Sequence, residues 1–343
     1  VPLTNTIWKE KNMKKTGIII LALVFLAVTG VFASGEKQEV KKDIIGISKI
    51  VAHPALDAVE QGIQDQLKDM GYDLQYDLQN ANGEVSTAAS IANKFKSEHV
   101  RIAVGIATPT AQALANALDD STVVYSAVTD PVDAGLVDSF DRGGKNITGV
   151  SDMTPVRDQI EFLNRIKKIK VLGHVYSSSE ANAVRLAGMA KEACDALGIE
   201  FVESTVTNSS EVKQATQAII NRVDGIYVST DNTVVSALAA LTEVALKNGV
   251  PVMSADPSSA EKFDVLAAWG FDYYKMGRAT GRLIAELLKG AKPEDIPTRF
   301  MTDPSDIDLL INLDVAKKLG LRFPQDVIDS ASKIVENGTL KTK

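Results

Sequence analysis

The chain has 343 residues, of which 45% are hydrophobic and 24% charged, and a formal net charge of -7. That length suits about two domains at the usual ~100–200 residues each, with enough apolar content for sizeable cores. The acidic balance and the lack of a Lys/Arg cluster exclude nucleic acid as an expected partner.

Metal and disulfide chemistry are equally poorly supplied. His53, His99 and His174 are the only histidines, far apart and without ligand spacing, so no metal site is expected. Cys194 is the only cysteine. It falls in the apolar pattern of a predicted helix and reads as a small buried hydrophobe.

The amino terminus reads as an address. Met13-Lys14-Lys15 precedes an apolar run from Ile18 to Ala33, and Val31-Phe32-Ala33 before Ser34 supplies a small-residue cleavage site. The run falls short of the ~20 residues that cross a bilayer as a helix. The expectation is an upstream extension and cleaved secretory signal over residues 1–33, a polar leader over 34–43, and an exported periplasmic protein. Should the segment stay uncleaved, the protein would be membrane-tethered. No cysteine follows the run to carry a lipid anchor.

From Ile44 onward, short apolar runs alternate with amphipathic ones. Ile44–Ser48 reads as a buried strand. Pro54–Met70 places Leu56, Val59, Ile63, Leu67 and Met70 on one helix face, closed by Gly71. Strands follow at Leu74–Leu78, Val100–Ile106, Thr122–Val128 and Ile147–Val150, with helices near Val85–Phe95 and Pro109–Leu118 between them. The alternation continues with helix Pro155–Ile166, strand Val171–Tyr176, helix Ala181–Leu197, strand Phe201–Val206 and helix Glu211–Ile220. Strand Gly225–Ser229, helix Thr233–Lys247 and strands Val250–Ser254 and Val265–Trp269 complete it. Such alternation implies parallel sheets with helices on both faces.

One barrel or two open sheets would satisfy this count. Two sheets are favoured by an internal echo. Thr122–Pro131 and Val250–Pro257 are both apolar strands ending in Ser-Ala and leading to Asp-Pro. Each follows a strand–Thr–helix unit, at Gly105–Pro109 and Tyr227–Asn232. The fold class expected is therefore α/β, two doubly wound parallel-sheet lobes joined by a hinge. The loop-like stretch Asn146–Pro155 suits a first crossing.

In open parallel sheets, ligands bind beyond the carboxyl ends of the strands. Those positions are rich in hydroxyl, amide and carboxylate groups: Ser48, Thr108, Ser126, Thr129, Ser177, Ser178, Ser179, Thr230, Asp231, Asn232 and Asp256, with Asp152 and Asn182 beside them. Each such group also precedes a helix, so capping is the competing explanation for any one of them. As a set they suit a zwitterion. Helix starts with Ser/Thr hydroxyls receive a carboxylate, and Asp231, Asp256 or Asp152 receives an ammonium.

Catalysis finds no support in nucleophile, P-loop or dinucleotide motifs, and no cofactor is expected. The aromatics concentrate in Trp269-Gly270-Phe271-Asp272-Tyr273-Tyr274. That stretch reads either as packing at an interlobe crossing or as a source of one ring for the cleft.

Four stretches together carry a resemblance: Ile147–Asp152, Ser178–Asn182, Ser229–Thr233 and Gly270–Tyr274. They resemble the tryptophan/tyrosine-type substrate-binding proteins of ABC transporters, over about Ile44 to Gly338. The resemblance implies the type I periplasmic-binding fold, with three crossovers, an amino acid (often aromatic) in the cleft, hinge closure, and transporter permease subunits as partners. It places lobe 1 at 44–150 plus about 275–301, and lobe 2 at 151–274 plus about 302–343. A sensory ectodomain of the same fold is the alternative role.

Overall fold

The structure, a computed structural model, describes residues 44–343. The signal segment, its cleavage site and the leader lie outside the described residues.

Two sheets organise the chain, with strands numbered in chain order. The first contains β1 (Ile44–Lys49), β2 (Gln75–Asn80), β3 (Ile102–Ile106), β4 (Thr122–Ser126), β5 (Ile147–Ser151) and β11 (Arg299–Phe300). Its order is β11-β5-β4-β3-β1-β2 and every neighbouring pair is parallel. The central strands β3 and β5 are buried along their whole length, as parallel strands covered on both faces must be. The edge strand β2 is half-exposed and correspondingly polar.

The second sheet contains β6 (Val171–Ser177), β7 (Glu200–Val206), β8 (Gly225–Val228), β9 (Val252–Ser254), β10 (Ala267–Phe271), β12 (Ile307–Asn312), β13 (Lys333–Glu336) and β14 (Thr339–Thr342). Its order is β14-β13-β12-β10-β9-β8-β6-β7. The expectation of purely parallel sheets needs correction here, because β12 runs antiparallel to β10 and β14 antiparallel to β13. The reason is connectivity. The chain enters β12 from the first sheet and not through a returning helix, and the Asn337-Gly338 turn between β13 and β14 has positive φ at both residues, as a tight hairpin requires.

Helices pack on both faces. Beside the first sheet stand α1 (Pro54–Asp69), α2 (Val85–Glu98), α3 (Thr108–Ala117) and α10 (Tyr273–Leu288). Beside the second stand α4 (Val156–Ile166), α5 (Ala181–Leu197), α6 (Val212–Ile219), α7 (Asn232–Ser236), α8 (Leu238–Lys247), α9 (Pro257–Ala260), α11 (Leu313–Lys318) and α12 (Gln325–Ser330). The helix expected as one piece over Thr233–Lys247 is two, α7 and α8, divided at Ala237 with neither Gly nor Pro to mark the break. Asp231 holds the first turn of α7 by its own cap, while Leu238, Leu241 and Ala245 orient α8 separately into the core. Cys194 is fully buried in α5, and burial pushes its thiol up to about 12, so it is inert packing.

The chain passes between the sheets three times: after β5, between β10 and α10, and between β11 and β12. Helix α10 therefore belongs to the first sheet although it follows β10 of the second. It lies against α1 so closely that a Cβ added at Gly62 would sit 2.3 Å from the Tyr274 carbonyl oxygen. One added at Gly277 would sit 2.3 Å from that of Val59. Only glycine permits that approach. The crossings are also tied to each other, with Asp272 N–H donating to the Asp306 carbonyl at 2.8 Å.

Candidate functional site

The carboxyl ends of both sheets face one another across a closed cleft. Within it lies a narrow cavity of about 10 Å³ lined by His53, Leu56 and Ala127 from the first lobe and Asn182, Thr230, Asp231, Asn232, Val235 and Asp256 from the second. Asp152 from the first crossing and Tyr273 from the second complete the wall. Each lining side chain arrives by the same local logic. An apolar strand ends, a polar residue leaves the sheet, and a helix begins within a few residues.

The second-lobe wall is acidic. Asp231 caps α7, accepting from Val234 N–H at 2.9 Å, and its other oxygen accepts from Ser177 N–H at 2.6 Å. Asp256 caps α9, accepting from Ser259 N–H at 3.1 Å. Glu180 stands behind them, accepting from Thr233 N–H at 2.9 Å, from its hydroxyl at 2.6 Å, and from the Asn232 side-chain amide. Burial, reinforced by the Glu180 charge, pushes Asp231 up to about 8. Asp152 is pushed up to about 6 by burial, against hydrogen bonds from the Tyr273 and Thr129 hydroxyls at 3.0 and 3.2 Å.

Opposite these groups, His53 reaches across the cleft towards Ser259 Oγ at 3.5 Å, and burial holds its imidazole below the ordinary value although Asp256 pulls the other way. A second interlobe contact joins Arg185 to Asp130 at 3.3 Å. Among the described residues lining the cavity there is no Lys or Arg. Four buried polar atoms of the lining have no partner: His53 Nε2, Asn182 Oδ1, Thr230 Oγ1 and Asp256 Oδ2. Unpaired buried polar atoms are costly and uncommon, and four on one small cavity mark a place where something else hydrogen-bonds.

Six residues expected at the site from sequence converge there: Asp152, Asn182, Thr230, Asp231, Asn232 and Asp256. The other seven do not line this cavity. Ser126 shares its hydroxyl with Thr280 of α10 at 2.7 Å, and Thr129 reaches Asp152 from behind. Ser177 and Ser179 share a hydroxyl hydrogen bond, and Ser178 and Ser179 donate to the carbonyls of Val206 and Thr207, closing the β6–α5 turn. Ser48 and Thr108 are buried beneath the cleft with unpartnered hydroxyls. His53, Leu56, Ala127, Val235 and Tyr273 complete the lining without having been singled out, apart from Tyr273, which sits in the aromatic stretch. Trp269 of that stretch packs against Phe162 instead, at 6.2 Å between ring centroids. The overlooked signal at His53 was position, since it precedes Pro54 as Asp256 precedes Pro257.

Comparison with known proteins fixes the family. Residues 44–335 match the model of the ABC transporter substrate binding protein family. The chain belongs to this family of substrate-binding proteins. It is 34% identical over 323 residues, 88% of this chain and 92% of the other, to a tyrosine-binding protein of Clostridioides difficile. Two solved structures are similar. A conserved domain protein from Vibrio cholerae is 40% identical with TM-score 0.83, covering 86% of this chain and 100% of that one. An ABC domain from Streptococcus pneumoniae in complex with L-Trp is 32% identical with TM-score 0.82, at the same coverages. Two lobes with three crossings make this the type I periplasmic-binding fold, shared as architecture with distant sugar-binding proteins. Members of the family are extracytoplasmic binding components, not enzymes. Among the described residues no helix is long and apolar enough to cross a membrane.

Proposed function

We propose that this chain captures an aromatic amino acid in the interlobe cavity, outside the cytoplasmic membrane, and hands it to the permease subunits of an ABC importer. The observation that carries the reading is the chemistry of the wall. Its unpaired atoms on the second lobe include the Asp256 oxygen and the Asn182 carbonyl oxygen, both acceptors, in a cavity wall that presents carboxylates and no Lys or Arg. A ligand ammonium supplies the missing donors. Leu56, Ala127, Val235 and the Tyr273 ring supply an apolar side for an aromatic group.

The tyrosine-binding relative and the L-Trp complex support the same ligand class. Closure follows from the geometry, because a ligand touching both lobes stabilises the arrangement in which both touch it. The test is a thermal-shift screen of protein unfolded and refolded once to strip ligand, against amino acids, sugars and small anions. A rise in melting temperature with tyrosine or tryptophan supports the proposal. A rise with sugars alone, or with nothing, overturns it.

A further inference from the structure

Glu180 is a carboxylate buried behind the cavity, 4% exposed and not part of the lining. Its Oε1 accepts from the Thr233 N–H at 2.9 Å and from the Thr233 hydroxyl at 2.6 Å. Its Oε2 accepts from the side-chain amides of Asn232 and Asn182, the latter at 3.5 Å. These donors are all uncharged. Nor does the Glu180 side chain cap α5, the helix it precedes. Burying a charge among neutral partners is costly, so stability alone is a poor reason for it.

Two of those donors belong to residues that do line the cavity. A side-chain amide has two faces, a nitrogen that donates and an oxygen that accepts. Here both nitrogens point away from the cavity. Asn182 donates to the Thr230 carbonyl at 3.0 Å as well as to Glu180, and its Oδ1 is left buried and unpartnered. Asn232 donates to Glu180, which leaves its oxygen for the cleft. Burial dominates at His53 and disfavours its protonated form, but Asn232 works the other way, as an amide oxygen facing the imidazole does. Asp231 and Asp256 add carboxylates to the same wall. Glu180, Asn182, Thr230, Asn232 and Thr233 all stand on the second lobe, so this arrangement does not depend on closure.

We infer that Glu180 fixes the polarity of the second-lobe wall, turning Asn182 and Asn232 so that the ligand meets acceptors only. It is a positioning residue, acting through the two amides and touching no ligand itself. With the amides reversed, the wall would aim donors at the ammonium, and selection against ligands lacking that group would fall. This rests on the amino-acid reading above and adds the residue that makes the wall discriminate.

The experiment is calorimetric titration of ligand-stripped protein with tyrosine and with desaminotyrosine, which keeps the ring and the carboxylate and lacks the ammonium. Glu180→Gln keeps the size of the side chain but donates as well as accepts, so it no longer dictates how the amides turn. The variant is expected to bind tyrosine about tenfold less tightly, the scale of a hydrogen bond to a charged group, with desaminotyrosine unaffected. A purely structural role would weaken both ligands alike. That result overturns the inference, as does unchanged tyrosine affinity. Should Glu180→Gln fail to fold, NMR of isotope-labelled, ligand-stripped wild type carries the test. The side-chain amide protons of Asn182 and Asn232 are expected to exchange slowly with water, being held inside the lobe, and exchange at the rate of a free amide overturns the inference. Wild type that binds no amino acid overturns the underlying ligand reading instead. The amide exchange, measured without ligand, still decides the orientation by itself, which separates the two failures.

Discussion

The Tyr273 hydroxyl donates to Asp152 Oδ2 across 3.0 Å, joining the second crossing segment to the first inside the interlobe cavity. Asp152 follows the strand that leaves the first lobe, and Tyr273 opens the helix that returns to it. The hinge is thus hydrogen-bonded to itself in the wall of the proposed ligand cavity. Tyr273→Phe leaves a fully buried carboxylate oxygen short of a donor. The expected loss of stability is about 1–3 kcal/mol by denaturant titration. Asp152 should also titrate above its present value of about 6, since this hydrogen bond is the largest effect holding it down.

Asp256 is both a helix cap and a candidate ammonium partner, and one substitution separates the roles. Asn caps helices as well as Asp does, so Asp256→Asn should keep the folded state within about 1 kcal/mol. The lost charge in a desolvated site should weaken amino-acid binding about 30-fold or more. Calorimetry and thermal melts on the same sample check both. Unchanged affinity would remove Asp256 from the site.

A titration linked to stability sits in the second lobe. His174 is buried, its Nδ1 hydrogen-bonded to the Tyr227 carbonyl at 2.8 Å and its ring between Tyr176 and Tyr227, and burial pushes its pKa down to about 4. The folded protein therefore binds fewer protons here than the unfolded chain, whose histidine titrates near 6.5. Stability from this group is full above pH 6.5 and is lost as pH falls towards 4, by on the order of 3 kcal/mol. His174→Phe should flatten that part of the stability profile in urea titrations from pH 7.5 to 4.5. An unchanged slope would place the acid sensitivity elsewhere.

Asp231 works in the opposite direction. With a folded pKa near 8 against an ordinary carboxyl value in the unfolded chain, its contribution is full at low pH and is lost as pH rises through 8. Asp231→Asn keeps the cap on α7 and should remove that loss. The comparison to make is stability at pH 5.5 and 8.5 for both proteins, wild type alone showing this alkaline decline.

Gly277 tests the contact between α1 and α10. Gly277→Ala gains helix propensity, which by itself would stabilise by about 1 kcal/mol. The added methyl meets the Val59 carbonyl backbone, which must move for it to fit. A net destabilisation of about 1–3 kcal/mol is expected, on the scale of overpacked cores. Stabilisation would show that α10 shifts freely on lobe 1.

Much of this architecture was legible because parallel α/β units announce themselves. The apolar strands, the 3-and-4 spacing of Leu56, Val59, Ile63 and Leu67, and the Asp-Pro helix starts all act locally. The six expected residues that line the cavity share one rule, polar groups at carboxyl ends of strands. The same rule also selected Ser177–Ser179, because a hydroxyl that closes a turn and one that faces a ligand look alike in sequence. The division at Ala237 and the antiparallel placement of β12 were illegible, since both depend on partners distant in the chain. So was the choice of Tyr273 over Trp269 for the cavity, which is decided by which side of β10 and α10 faces the cleft.

The seating of α10 on α1 has a bearing on how the chain is made. Residues 54–69 lack their main helical partner until residues 273–288 have been synthesised, and one edge of β10 stays open until β12 follows. Neither lobe is a continuous stretch of sequence, so neither has a complete core until nearly the whole polypeptide exists. A nascent chain of this design stays short of its native state through most of translation. Both lobes therefore reach their native packing together, late in synthesis, and neither can serve as a folded nucleus for the other.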